Sequence, residues 1–180
     1  MREIECPTYS IVDDNAENVR QPLKRQLGRA FGVEAIIEAE NGQEALAQVE
    51  TNRPEVIILD IMMPVMDGLE ACKAIREDPD NAGVYIIMFT GRDGGLAEGL
   101  ETGADIYLRK PCDIEELIAI VGKGLQECEK NRNLLAEKAA TESRSQRLES
   151  DNKKLQQESF SMIDSSFPDG HADSWLDMTK

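Results

Sequence analysis

Val56-Ile57-Ile58-Leu59-Asp60-Ile61-Met62-Met63-Pro64-Val65-Met66-Asp67-Gly68-Leu69-Glu70 passes from an apolar run to a lone aspartate, then through a Pro- and Gly-bearing turn to a helix start. An unbroken β-branched run has no polar positions to turn toward water, so it predicts a strand covered on both faces. Asp67 stands three residues before Glu70, the spacing at which a side chain caps a helix and the glutamate reaches back to it. A buried strand, a turn and a helix make one unit of an α/β fold.

The same pattern repeats on either side. Tyr9-Ser10-Ile11-Val12, Ala35-Ile36-Ile37, Val84-Tyr85-Ile86-Ile87-Met88-Phe89 and Ile106-Tyr107-Leu108 are further short apolar runs, and Asn41/Glu44 and Asp113/Glu116 repeat the cap spacing. Val19, Leu23, Leu27, Ala30 and Phe31 recur at helical spacing and predict one helix over Glu17 to Phe31, with Pro22 expected to cost a hydrogen bond or kink it. A short helix between Asp93 and Thr102 carries Gly94, Gly95 and Gly99 and is expected to be the least stable. Five strands alternating with helices predict an α/β, doubly wound parallel sheet.

From Glu129 the composition changes. Residues 129–159 contain neither Gly nor Pro, and Thr141 is their one β-branched residue. A long polar helix is expected there, and joined to the helix capped at Asp113 it would run about 70 Å at 1.5 Å per residue, too long to be held by packing on a small domain. Val121, Cys128 and Leu135 recur every seven residues; Leu134, Thr141, Leu148 and Leu155 do so one position out of phase. That is a coiled-coil pattern with a register shift, weakened by polar Lys138, Ser145 and Asn152 at the other seam positions. Residues 160–180 alternate Phe160, Met162, Ile163, Phe167 and Trp175 with aspartates, and are expected to be a disordered tail or the edge of a missing output domain. The expected organisation is thus a domain over 1–128, a helical coiled-coil extension over 129–159 and a tail over 160–180.

The charge narrows the function. The 180 residues carry a net charge of −15, and residues 1–128 hold 12 Lys and Arg against 25 Asp and Glu. A field of that sign repels phosphate backbones and anionic lipid, so direct nucleic-acid or membrane-surface binding by this part is not expected. No run reaches the roughly 18–20 apolar residues of a membrane span, and Met1-Arg2-Glu3-Ile4-Glu5 lacks a secretory pattern, so a cytoplasmic location is expected. Cys6, Cys72, Cys112 and Cys128 form no CxxC pair, and His171 is the only histidine. These facts argue against a Ser/His/Asp triad or a zinc site.

In a doubly wound sheet, ligands sit beyond the carboxyl ends of the strands. Asp13 and Asp14 end the first strand, Asp60 the third, Thr90 the fourth and Lys110 the fifth. Carboxylates gathered there repel one another and must be protonated, paired or bound to a cation; a hard divalent ion such as Mg²⁺ suits oxygen donors. Lys110 and Thr90 supply a compact positive charge and a hydroxyl for a phosphoryl group. Asp60, already ionised at neutral pH, is then the natural nucleophile.

Val12-Asp13-Asp14-Asn15, Leu59-Asp60 through Asp67-Gly68, Phe89-Thr90-Gly91 and Gly103-Ala104-Asp105-Ile106-Tyr107-Leu108-Arg109-Lys110-Pro111 together resemble the receiver domain of two-component response regulators, over about residues 6–127. The resemblance implies a flavodoxin-like (βα)5 fold with strand order 2-1-3-4-5, followed here by a long C-terminal helix. It implies phosphorylation of Asp60 by a sensor histidine kinase or phosphotransfer protein, with no enzyme activity beyond self-phosphorylation and autodephosphorylation. It also implies direct Mg²⁺ binding by Asp14 and Asp60, a role for Asp13 mainly through water, and a further ligand in the main-chain carbonyl of Met62. Thr90 and Lys110 would engage the phosphoryl oxygens, Lys110-Pro111 would be cis, and Tyr107 would be the switch aromatic that follows Thr90. The interval from Thr90 to Lys110 is about two residues short for the family, so the Gly-rich fourth helix is expected to be loose.

The leading expectation is a phosphorylation-dependent switch that signals to an unknown downstream protein through its C-terminal helix and a homodimer. One alternative is the regulatory half of a longer output enzyme, such as a diguanylate cyclase or a protein phosphatase. A Mg²⁺-dependent phosphohydrolase of the haloacid dehalogenase type is less favoured, because its second Asp would stand where Met62 does. FMN or nucleotide binding would want a Gly-rich or Ser/Thr-rich loop where Asp13-Asp14 stands.

Overall fold

The computed structural model describes residues 8–32, 36–91 and 102–165, with side chains to residue 158. The Gly-rich helix expected between Asp93 and Thr102, and the side chains of the tail, lie outside the described residues. Two compact units divide the chain, residues 1–133 and 134–180.

The first unit contains the parallel strands β1 (Tyr9–Val12), β2 (Ile36–Ala39), β3 (Val56–Leu59), β4 (Tyr85–Thr90) and β5 (Ile106–Arg109), in the order β2-β1-β3-β4-β5. Helices α1 (Gln21–Phe31), α2 (Gly42–Asn52) and α3 (Gly68–Glu77) intervene, and α4 (Ile114–Ser165) begins after β5. This is the flavodoxin-like order expected above. The continuous apolar runs are explained by a core on each face. Val56 and Ile58 join Ile11, Leu27, Ile87, Leu117 and Val121 on one side, while Ile57 and Leu59 join Val49, Ala71, Ile75, Ile86 and Met88 on the other. Successive strand residues point to opposite faces, so a strand sandwiched between helices needs an apolar residue at every position.

Two of the expected caps are well formed. Asp67 accepts from the Glu70 N–H at 2.8 Å while Glu70 accepts from the Asp67 N–H, a complete capping box. Asn41 accepts from the Glu44 N–H at 2.9 Å, and Glu44 reaches the N–H of Glu40 instead of that of its own cap. Asn41→Ala should therefore lower stability by about 1 kcal/mol, read as a lower denaturant midpoint with an unchanged slope.

The helix expected over Glu17–Phe31 is two segments. A π-helical turn, Ala16–Arg20, comes first, with the N–H groups of Val19 and Arg20 both donating to the Asn15 carbonyl at 3.2 Å. α1 follows from Gln21 without a break, since Arg20 and Gln21 are both αR and the Gln21 N–H donates to the Ala16 carbonyl. Pro22, which has no N–H to give, thus stands where the π-helical turn passes into the α-helix, and the helical run from Ala16 to Phe31 continues through it.

α4 separates the two heptad phases. Val121 and Cys128 are buried in the first unit, with the Cys128 thiol 3.2 Å from the Glu55 carbonyl oxygen. In the second unit Leu134, Leu135, Leu148 and Leu155 are exposed, and the helix continues to Ser165, past the expected end at 159. No described helix is long and apolar enough to cross a membrane.

Candidate functional site

Parallel strands in close register end at the same level. Val12 pairs with Leu59, Leu59 with Met88, and Thr90 with Arg109, so the residues after these strands meet along one edge. Backbone hydrogen bonds extend the alignment past the strand ends. The Asp60 N–H donates to the Val12 carbonyl at 2.9 Å, Asp13 to Ala39 at 3.1 Å, and Lys110 to Thr90 at 2.8 Å.

Carboxylate oxygens of Asp13, Asp14 and Asp60 lie within 4.8 Å of one another. Asp13 and Asp60 are buried, and Asp14 is exposed. The Lys110 ammonium joins the buried pair, donating to Asp13 Oδ2 at 2.5 Å and to Asp60 Oδ2 at 2.9 Å, and lies 5.1 Å from the centre of the Phe89 ring. The other oxygen of Asp13 accepts from the Asn15 N–H at 2.9 Å. Each like-charge pair near this spacing costs roughly 3 kcal/mol at an effective dielectric of 20. Three carboxylates and one ammonium leave a net charge of about −2, which a divalent cation would balance. All the side-chain donors are oxygen, as a hard cation prefers.

The other expected residues surround this group. Thr90 ends β4 and is buried. Met62 exposes its side chain, and its N–H lies 3.4 Å from Asp60 Oδ1. Tyr107 pairs with Met88 across β4 and β5; it is half-buried, and its hydroxyl is 2.7 Å from the Thr102 hydroxyl. Burial pushes its phenol up in pKa, and the Thr102 hydrogen bond opposes that shift. The Lys110–Pro111 bond is cis. In the loop after Asp60, Val65 is held at φ +69, a conformation that costs a β-branched residue of order 1–3 kcal/mol.

Arg20 was not among the expected site residues. It is buried, and its guanidinium donates to the Asp13 carbonyl at 2.6 Å, to Glu40 at 2.8 Å and to Glu38 at 3.3 Å. Lys24 donates to Glu38 at 2.7 Å. Its signal in the sequence was an arginine just after the acidic pair, with two glutamates two residues apart near the end of β2. The Lys24 hydrogen bond, with smaller help from Arg20, lowers the Glu38 pKa against the opposing effect of burial. A depressed carboxylate pKa gives stability that is present above the unfolded value and lost as pH falls through the folded one. Arg20→Ala should cost about 1–3 kcal/mol, because it strands the buried Asp13 carbonyl and removes the ion pairs to Glu38 and Glu40, while Lys24 stays on Glu38. Chemical denaturation at neutral pH measures this, and Glu38→Gln should flatten the acid limb of the stability profile below the ordinary carboxylate range.

The profile of the response regulator receiver domain family matches residues 10–122, and the chain belongs to that family, the receiver domains of two-component systems. It is similar to response regulator MprA from Mycobacterium sp. (strain KMS), 40% identical over 115 residues that cover 63% of this chain and 48% of the relative. MprA from Mycolicibacterium vanbaalenii is 39% identical over the same shares. The chain spans about half the length of the curated relatives it matches. Among solved structures it resembles a CheY-like receiver domain protein from Methanospirillum hungatei, with a TM-score of 0.63, 28% identity and coverage of 69% and 98% of the two chains. It also resembles the receiver domain of AraT, a response regulator from Geobacillus stearothermophilus, with a TM-score of 0.62, 32% identity and coverage of 71% and 98%.

Proposed function

We propose that this receiver domain takes a phosphoryl group onto Asp60 from a phosphohistidine of a sensor kinase or phosphotransfer protein, and that Mg²⁺ assists. The observation that carries the reading is Lys110 bridging two buried carboxylates, Asp13 and Asp60, beside exposed Asp14. A carboxylate oxygen of Asp60 attacks phosphorus, the phosphorus–nitrogen bond of the donor breaks, and the electron pair leaves with the imidazole. Lys110 is already placed to take up an incoming phosphoryl oxygen, and the Thr90 hydroxyl donates to another. Asp13, Asp14, Asp60 and the Met62 carbonyl would hold Mg²⁺, which when bound screens the repulsion between the acidic cluster and the anionic donor.

The added charge draws Thr90 inward, and Tyr107 follows, which alters the face around β5 and the start of α4. The organisation that fits is a receiver over 1–128, a coiled-coil extension over 129–159 that forms a homodimer, and a tail over 160–180 that reaches a downstream protein, all in the cytoplasm. A second reading is favoured by the chain spanning about half of its curated relatives: a receiver that governs an output domain, such as a diguanylate cyclase or phosphatase, beyond residue 180.

Incubation with acetyl phosphate, with Mg²⁺ or with a chelator, tests the proposal by intact mass. One added phosphoryl mass is expected, formed faster with Mg²⁺ and lost in mild alkali. An unmodified mass under both conditions would overturn it.

A further inference from the structure

Every side chain from Leu134 to Glu158 is exposed, with Leu134 at 50%, Leu148 at 56% and Leu155 at 62%. Most helices in proteins draw their stability from packing of an apolar face, and among the described residues this face packs on none. Two heptad assignments are open. With Leu134, Thr141, Leu148 and Leu155 at a, the d positions would be Glu137, Arg144, Asp151 and Glu158, a fully charged seam that two helices cannot bury without a large desolvation cost. With the same four residues at d, the a positions are Lys138, Ser145 and Asn152, and the leucines stack in layers.

The second assignment also fixes a direction. In a parallel pair the g residue Arg144 faces the e residue Glu149 of the other copy, twice by symmetry, and Asn152 meets Asn152, the pairing that favours two strands in one register. In an antiparallel pair each leucine would face Lys, Ser or Asn from the a positions. Of the other g to e′ pairs, Glu137 with Glu142 repels and Asp151 with Gln156 is neutral, so the firm part of the seam lies between Arg144 and Leu155.

Resting on the reading of this segment as a dimerising one, we propose that α4 beyond Leu134 pairs with a second copy of itself as a parallel, in-register, two-stranded coil. Its register is set by Asn152 against Asn152 and by Arg144 against Glu149. The occupant of the leucine face is therefore the same face of another chain. Its polar layers and its repelling upstream pair make the coil weak and sensitive to salt.

Disulfide trapping in the full chain tests this, with Thr141→Cys and Leu155→Cys made separately, mixed, mildly oxidised and mapped by peptide mass. Links of 141 to 141 and of 155 to 155 are expected, with none of 141 to 155. A predominance of 141-to-155 links would overturn the parallel geometry and leave the dimer intact. Light scattering that finds a monomer at all concentrations would overturn the dimer as well, while phosphoryl uptake remains a separate measurement. Arg144→Glu should weaken the dimer by roughly tenfold, and the swap of Arg144→Glu with Glu149→Arg should restore it. Failure of the swap to restore would remove this pair from the account.

Discussion

Asp60→Asn should abolish phosphoryl uptake and, in the absence of Mg²⁺, make the protein more stable. The first effect follows from the loss of the nucleophile and should exceed roughly a thousandfold, the scale on which removing such a group acts. The second follows from the charges. Asp60 repels Asp13 and Asp14 and is attracted to Lys110, which keeps its hydrogen bond to Asp13 when Asp60 is neutral. At the same dielectric the lost attraction to Lys110 at 2.9 Å is roughly 6 kcal/mol and about cancels two repulsions of roughly 3 kcal/mol each, so the gain of about 1–2 kcal/mol comes from no longer burying the Asp60 charge. Intact mass with acetyl phosphate and urea unfolding with and without Mg²⁺ measure the two effects. A variant that still forms the adduct refutes the assignment of the acceptor. A variant less stable than its parent without Mg²⁺ refutes the charge argument. Function and stability thus pull in opposite directions at this position, as is common where like charges are gathered for chemistry.

Gly68→Ala should be the most destabilising single methyl in the domain. A Cβ at this position would lie 2.0 Å from the Asp60 carbonyl oxygen and 3.0 Å from the Ile61 Cα. Both are backbone atoms, so no side-chain rotation relieves the clash. The Gly68 N–H also donates to the Ile61 carbonyl at 3.0 Å, which holds the start of α3 against the segment that carries Asp60. Either α3 moves out, opening the core around Ala71, Cys72 and Ile75, or Asp60 is displaced. The expected loss is about 3 kcal/mol or more, above the usual cost of overpacking. Denaturant unfolding measures it, and a midpoint within error of the parent would show that the contact yields easily. On the proposed function, any folded fraction should also accept phosphoryl groups slowly, because the backbone that carries Asp60 has shifted.

Much of this was legible in the chain. The strands could be read because a strand buried on both faces leaves no polar position, as in Val56 to Leu59. The acidic site could be read because Asp13, Asp60, Thr90 and Lys110 each follow or end such a run, and parallel strands bring those ends together. What escaped depended on contacts between distant segments. The π-helical turn just ahead of Pro22 left no mark on the apolar spacing, which runs on through it. Arg20 drew no reading, since its burial depends on Glu38 and Glu40 arriving from β2 and the residue after it. The need for glycine at 68 comes from the Asp60 carbonyl, not from a positive φ. The two heptad phases of α4 were visible, but only packing assigns the first to the core of the domain and leaves the second free.

Glu38 has a consequence beyond its ion pairs. Among the described strands β2 borders the sheet with β1 as its one neighbour, and no described strand pairs with the other row of its backbone groups. Its sequence, Ile36-Ile37-Glu38-Ala39, would otherwise be an apolar template for strand addition. A carboxylate held in the middle of it by Lys24 and Arg20 makes that border a poor place for a second chain to add. Because Lys24 and Arg20 hold the Glu38 pKa down, only acid below the ordinary carboxylate range removes the charge; there the fold should weaken and its border lose its guard together, and aggregation should begin at that border before the core has come apart.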